Sequence, residues 1–453
     1  MSMTGRERLL ATLRHESADK VPWVPFAGVH AGRLKGYSAT EMLTDVDKLV
    51  SSLLAVNQLY MPDGQPVVFD LQLEAEILGC ALVWAEEAPP SVATHPLSNE
   101  AVVPTRLPEA SDGRLPIVLE AMRRLKAAVG EQTALYGLVT GPLTLASHLR
   151  GSELFMDMFD RPDYVHALLN FAKAVAQRMT ALYLAEGMDV IAIVDPLVSQ
   201  VSPRTFKQFL QAPYGELFTD IREAGAFSSF FVCGDATKNI EVMCLTGPDS
   251  ISVDENIDLP KAKLITDRYN IAIGGNIPLT TCMLLGNQLD NIKFVVDLLD
   301  QVDHHNLIVA PGCDMPYATP IENTIGAAQA VHDPDTYREI VRNYQRTALD
   351  YDVVLPDYAH LSRPLIEVFT LDSASCAACA YMLAAAQEVA NELGDRVELV
   401  EYKITVPENI ARMHKMGITN LPSILVNGEL KYSSIIPSHR ELLDTIRQYL
   451  PAQ

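Results

Sequence analysis

The chain has 453 residues, 48% of them hydrophobic and 20% charged, a composition that buries large cores and excludes a disordered chain. Its formal charge of −22 excludes a surface for nucleic acid or anionic lipid, because both need clustered Lys and Arg to meet phosphates. The length exceeds one ordinary domain and suits a barrel or sheet of about 250–350 residues with a smaller unit attached.

The first residues, Met1-Ser2-Met3-Thr4-Gly5-Arg6-Glu7-Arg8, lack the apolar core of a signal peptide. No later run reaches the ~18 apolar residues of a spanning helix, so the chain reads as cytoplasmic. Short apolar runs at 21–26, 67–70, 134–139, 189–195, 227–233, 250–254, 271–276 and 306–310 predict strands. They alternate with stretches at 115–129, 164–185, 203–223 and 289–301 whose apolar residues recur every three or four positions, the helical period. Eight strands separated by helices predict an α/β chain with a (β/α)8 TIM barrel over residues 1–350; a doubly wound open sheet is the competing arrangement.

Polar residues cluster at the ends of these runs. Asp70, Gly141-Pro142, Asp195-Pro196, Cys233-Gly234-Asp235, Asp254-Glu255-Asn256, Gly275-Asn276 and Gly312-Cys313-Asp314 all fall at or just past a strand's C-terminal end. In a barrel, loops at that face converge on one mouth and build the active site. An Asp in such a place serves equally well as a helix N-cap, and His148, in the first turns of a predicted helix, reads on its own as structural.

Residues 351–364, with Pro356 and Pro364, form a polar linker to a second domain at 365–453. There a strand at 365–370 leads into Ser375-Cys376-Ala377-Ala378-Cys379, then a helix at 377–393, a strand at 397–404 and a helix at 407–416. Pro422 precedes strands at 424–426 and 430–433, joined by the tight-turn pair Asn427-Gly428, and a helix at 440–450 closes the chain. A Cys-x-x-Cys pair between strand and helix points to redox chemistry, since helix amides stabilise a thiolate on the first sulfur. The βαβαββα order resembles the thioredoxin fold, which implies that Pro422 lies against Cys376 and Cys379. Seven cysteines in a reducing compartment are not expected to form structural disulfides. Cys80, Cys244 and Cys282 sit among apolar neighbours and read as core filler.

Residues 4–345 resemble the uroporphyrinogen decarboxylase superfamily. The resemblance rests on Arg6-Glu7-Arg8-Leu9-Leu10, Ala31-Gly32-Arg33, Phe69-Asp70 with Ala75-Glu76-Ile77-Leu78-Gly79-Cys80, Gly141-Pro142-Leu143-Thr144-Leu145, Met188-Asp189 through Asp195-Pro196, Cys233-Gly234, and Ala318-Thr319-Pro320-Ile321-Glu322-Asn323. Its decarboxylase branch implies a cage of arginines for a polycarboxylate, yet here Val29 stands at the place of the second arginine, His148 at that of a tyrosine and Cys313 at that of a histidine. Its corrinoid methyltransferase branch implies zinc held by His-x-Cys after the fifth strand and a Cys after the last. Cys233 and Cys313 match both cysteines, while Phe231 stands at the histidine position. A further metal ligand is then sought among His30, Asp235, His148 and Glu255.

The resemblance therefore implies a methyltransferase that moves methyl from a methylcobamide, carried by a separate corrinoid protein, to a small thiol or a tetrahydrofolate-like acceptor. Asp70, Asp195 and His148 are the candidate catalytic residues; His30, Arg33, Asn276 and Asp254 the substrate-binding ones; Cys233 and Cys313 the metal ligands; Cys376, Cys379 and Pro422 the redox group. Two other readings stand beside it. One is a non-catalytic binding or redox-sensing barrel in which only the Cys-x-x-Cys pair reacts; the other is a decarboxylase of a small carboxylated substrate using Asp70.

Overall fold

The computed structural model describes residues 2–345, 351–371, 373 and 377–450. The chain divides into two compact units, barrel and small domain. Among the described residues no helix is long and apolar enough to cross a membrane.

The first unit is a parallel sheet of seven strands in sequential order: β1 (Gly64–Pro66), β2 (Ala134–Thr140), β3 (Val190–Val194), β4 (Phe227–Val232), β5 (Ser250–Val253), β6 (Ala272–Ile277) and β7 (Leu307–Pro311). The eighth expected strand, 21–26, shortens to one bridge between Trp23 and Val309. Pro22 and Pro25 explain the contraction, because neither has an N–H to extend a ladder. That short segment still closes the barrel. On one side Val24 N donates to Val309 O and Val309 N to Pro22 O, each at 2.9 Å; on the other, Asp63 N donates to Trp23 O at 2.9 Å. Trp23 N in turn donates to Asp63 Oδ2 at 2.8 Å. The result is a TIM barrel with one minimal stave.

The first paired strand sits slightly earlier than its apolar run. Val67, Val68 and Phe69 are buried, but the ladder ends at Pro66 and the chain turns over the mouth toward Asp70. The helical stretch at 203–223 divides into Pro203–Phe209 and Gln211–Glu223. Pro213 is the cause: its ring would clash with the carbonyl four residues back, on Phe209, where the first helix stops. Elsewhere the apolar period and the element agree. Leu115–Val129 is helical end to end, and Gln288–Gln301 starts on a capping box in which Asn287 and Asp290 serve each other's backbone N–H.

Inside the barrel, alternate residues of the strands point inward and fill the lumen. Tyr136 and Leu138 of β2, Ala192 and Val194 of β3, Phe231 of β4 and Ile308 and Ala310 of β7 form one buried cluster with Phe26 and Phe69. The ring of Phe231 lies 4.6 Å from that of Phe26 and 5.6 Å edge-on from that of Phe69. These aromatics make an apolar floor beneath the mouth, each pair adding about 0.5–1.5 kcal/mol beyond its buried area.

The small domain is a four-stranded sheet in the order β9-β8-β10-β11, with β8 (Leu365–Thr370), β9 (Glu398–Lys403), β10 (Ser423–Val426) and β11 (Glu429–Ser433). β8 pairs parallel with β9 and antiparallel with β10, the mixed pairing of a thioredoxin-like fold. Asn427 and Gly428 both take positive φ, 50° and 77°, the tight-hairpin geometry their sequence signals. The Leu421–Pro422 peptide is cis. Residues in the 351–364 stretch are held by this domain: Tyr358 donates to Glu367 at 2.9 Å, and Lys415 Nζ donates to Val353 O at 2.7 Å.

Candidate functional site at the barrel mouth

The strand ends bring the expected residues to one face, but most of their polar atoms are already committed. Asp195 follows β3 and is fully buried. Its carboxylate accepts from Leu143 N at 2.9 Å, Thr144 N at 3.3 Å and Thr144 Oγ1 at 2.6 Å, and from the Tyr214 hydroxyl. It thus caps, from a neighbouring strand, the helix Pro142–Arg150. Burial raises its pKa, and these hydrogen bonds oppose that rise. Gly141 is required beside it, since a Cβ there would stand 2.3 Å from an Asp195 oxygen.

His148, on that same helix, is 2% exposed and turned away from solvent. Burial pushes its imidazole down to about 3, so the ring is neutral, and its Nδ1 has no hydrogen-bond partner. His30 is fully buried with both nitrogens engaged: Nδ1 lies 3.0 Å from Tyr317 O and Nε2 2.7 Å from the Tyr60 hydroxyl. Burial depresses it to about 4. Asn276, at the end of β6, donates to Asp254 O at 2.9 Å and Ile257 O at 2.7 Å, bracing the loop after β5. Asp254 accepts from Asn256 N at 2.9 Å and from the Asn256 amide, and burial raises its pKa. Of the expected mouth residues, Arg33 is exposed, and Cys233 and Cys313 are half-buried.

Asp70 is at the centre of a group that its own sequence neighbourhood only partly announces. Arg114 Nη1 donates to Asp70 Oδ2 at 2.6 Å and its Nε to Glu76 Oε2 at 2.8 Å, while the guanidinium lies 4.8 Å over the Trp84 ring. The other Asp70 oxygen accepts from Gln72 N at 2.9 Å. The remaining guanidinium nitrogen, Arg114 Nη2, is buried without a partner. Next to this pair Glu74 is buried, accepts from Thr140 N at 3.1 Å and Thr140 Oγ1 at 2.7 Å, and is pushed up to about 7 by burial, with the Asp70 charge adding to the rise. Asp314 accepts from Gly28 N at 2.7 Å and is driven well above the carboxylate range by burial, again with Asp70 contributing. A Cβ on Gly28 would stand 2.4 Å from that carboxylate.

Arg114 and Glu74 were invisible as site residues. Arg114 precedes a helix in a loop and meets Asp70 across 44 positions, a pairing no local pattern encodes. Glu74 carries a weak signal, being an acidic residue within the Asp70 motif, but only burial distinguishes it from Glu76.

Cys233 and Cys313 are brought together as the resemblance implied, yet as a disulfide rather than as separate ligands. Their Cα atoms lie 5.9 Å apart, within the disulfide range. The four-ligand set that zinc needs does not assemble around them. Phe231, at the histidine position, is fully buried in the aromatic floor. His30 and His148 are committed or turned inward, Asp235 accepts from Thr237 N, and Glu255 accepts from Leu279 N. Among the described residues no group of three His, Cys, Asp or Glu side chains is placed to hold a metal. The residues at this mouth do not fit zinc.

In the small domain, Cys379 is 1% exposed and its sulfur accepts from Leu371 N at 3.3 Å. Cys376 lies outside the described residues.

Residues 4–334 match the uroporphyrinogen decarboxylase (URO-D) family and residues 365–447 the thioredoxin domain family. The chain is 28% identical over 328 residues to the methylcobamide:CoM methyltransferase MtbA of Methanosarcina acetivorans, covering 71% of this chain and 95% of that protein. It is 29% identical over 334 residues to the methylcobamide:CoM methyltransferase MtaA of Methanosarcina barkeri, with 71% and 95% covered. Among solved structures, a methyltransferase from Methanosarcina mazei superposes with a TM-score of 0.67 at 25% identity, covering 73% of this chain and 99% of that one.

Proposed function

Because the chain belongs to the uroporphyrinogen decarboxylase family, we propose that its barrel transfers a methyl group from a methylcobamide, delivered by a corrinoid protein, to a thiol acceptor. The observation that carries this reading is the similarity to methylcobamide:CoM methyltransferases over nearly their whole length. In the transfer the acceptor thiol first gives its proton to solvent, the thiolate's lone pair forms the S–CH3 bond, and the Co–C pair stays on the cobalt of the donor substrate. The reading assigns no step to zinc.

The chain's own residues supply binding and orientation. Arg114 keeps Asp70 anchored at the mouth, which favours a binding role for that carboxylate over proton transfer in a decarboxylation. Arg33, exposed beyond the buried His30, is the residue we assign to an anionic group of the acceptor. Asp195, Asn276 and Asp254 act as positioning residues through the helix and loops they brace, and His148 is carried on the helix that Asp195 caps. The aromatic floor under the mouth excludes water from the reacting face, which strengthens every charge interaction there.

The test is a methyl-transfer assay with methylcobalamin and, separately, a methylated corrinoid protein, against a panel of small thiols and tetrahydrofolate, reading loss of the cobalt–methyl absorbance and the methylated product. Methylation of a thiol is the expected result. Transfer only to tetrahydrofolate moves the acceptor class, and no transfer to any acceptor overturns the reading.

A further inference from the structure

The bond between Cys233 and Cys313 joins the ends of β4 and β7, strands separated in the sheet by β5 and β6. It therefore spans the mouth instead of reinforcing a neighbouring ladder, and the barrel is already closed by backbone hydrogen bonds at Trp23. Both cysteines pack on the aromatic floor and keep part of their surface toward solvent. The other barrel cysteines are in a different state. Cys80, Cys244 and Cys282 are at most 5% exposed, and burial pushes the thiols of Cys80 and Cys244 up to about 12, where no thiolate is present to react. Among the described cysteines of the barrel this pair alone keeps surface toward solvent, and it stands over a floor in which Phe231 is fully buried.

We propose that Cys233 and Cys313 are a reversible redox site, a disulfide across the barrel mouth that a dithiol reduces and that takes the place of a metal centre. The donor's thiolate attacks one barrel sulfur, forming a mixed disulfide and releasing the other barrel sulfur as a thiolate, which takes up a proton. The donor's second thiol, after losing its proton, attacks its own partner sulfur in the mixed disulfide and releases the second barrel thiol. Two electrons and two protons pass to the barrel, and the donor leaves as a disulfide. Reduction removes the strap from over the floor; oxidation restores it.

The dithiol comes either from the Cys376/Cys379 pair of this chain or from an external carrier, and the test separates them. The full-length protein is equilibrated in dithiothreitol buffers of graded potential, alkylated without unfolding, and mapped by peptide mass spectrometry, with bound zinc measured in each sample. The expected result is a gain of two labelled thiols, at Cys233 and Cys313, over one reversible transition, with no zinc retained by them. Labelling of both cysteines at every potential, or zinc held by the pair and lost in Cys233→Ser, overturns the proposal. In Cys379→Ser, accumulation of a peptide linking Cys376 to Cys233 or Cys313 identifies the internal donor. Reduction that proceeds unchanged by a thioredoxin-type protein in that variant and in Cys376→Ser identifies an external one. None of these readouts depends on methyl transfer, so the site stands or falls separately from the proposed activity.

Discussion

The two units build their chemistry in opposite ways. In the small domain Cys379 lies in the first turn of the helix Ala377–Leu393, close behind the strand Leu365–Thr370, so one strand and one helix place it. At the barrel mouth the residues come from segments as distant as Gly28, Asp70, Arg114 and Asp314, and each arrives on a separate strand end or loop. A local site depends on a helix start, whereas a distributed one depends on the whole barrel closing in register. Perturbations of the mouth should therefore register as loss of barrel stability, and perturbations of the small domain should stay within it.

The largest expected effect is at Arg114. Arg114→Ala leaves Asp70 and Glu76 without their cation, and breaking a buried ion pair by removing one partner costs about 3–5 kcal/mol. Urea unfolding followed separately in the two units should show the barrel transition falling by that amount with the small-domain transition unmoved. Equal loss in both would show that the units do not respond independently.

Next is a pH effect at Glu74. Its folded pKa, about 7, lies above the ordinary 4.5, so the folded state holds a proton that the unfolded chain has released. The stability this provides is complete below about pH 4.5 and is lost as pH rises toward 7, on the order of 3 kcal/mol across the window. His30 and His148, depressed to about 4 and 3, act with the opposite sign, because the unfolded histidines gain protons below about pH 6.5. The difference between wild type and Glu74→Gln isolates the carboxyl: the variant should gain relative stability as pH increases from 4.5 to 7. A flat difference would place Glu74 in water.

Thr144→Val is a smaller change. It removes the hydroxyl that Asp195 accepts at 2.6 Å and leaves a buried carboxylate one donor short, for about 1–3 kcal/mol in the barrel transition. Smallest of all is Ser438→Ala, which deletes the capping box at the start of His439–Arg447. About 1 kcal/mol should be lost from the small domain alone, read from its own unfolding midpoint.

The period of apolar residues made most of the fold legible. Helix Leu115–Val129 and strands such as Ala134–Thr140 follow directly from it, because side-chain direction along a helix or strand repeats at a fixed interval. The helix that carries Cys379, Ala377–Leu393, was legible for a related reason, since it follows a strand within one local pattern. The strand at 21–26 was legible as an apolar run, but its ladder is limited by two prolines, and its closing role appears only when β1 and β7 flank it.

The mouth was legible as a set of positions and not as a set of roles. Sequence put Asp195, Asn276 and Cys313 at strand ends, where a barrel gathers its loops. It could not say that Asp195 caps a helix from the next strand, that both His30 nitrogens are occupied, or that Arg114 reaches Asp70 from 44 residues away. Those facts depend on which groups lose water together, and that is decided by three-dimensional packing. The sequence by itself determined the two-unit plan and the barrel period. Tertiary structure alone decided that Cys233 and Cys313 meet as a bond over an apolar floor, because only closure of the barrel brings the ends of β4 and β7 within 5.9 Å and turns Phe231 beneath them.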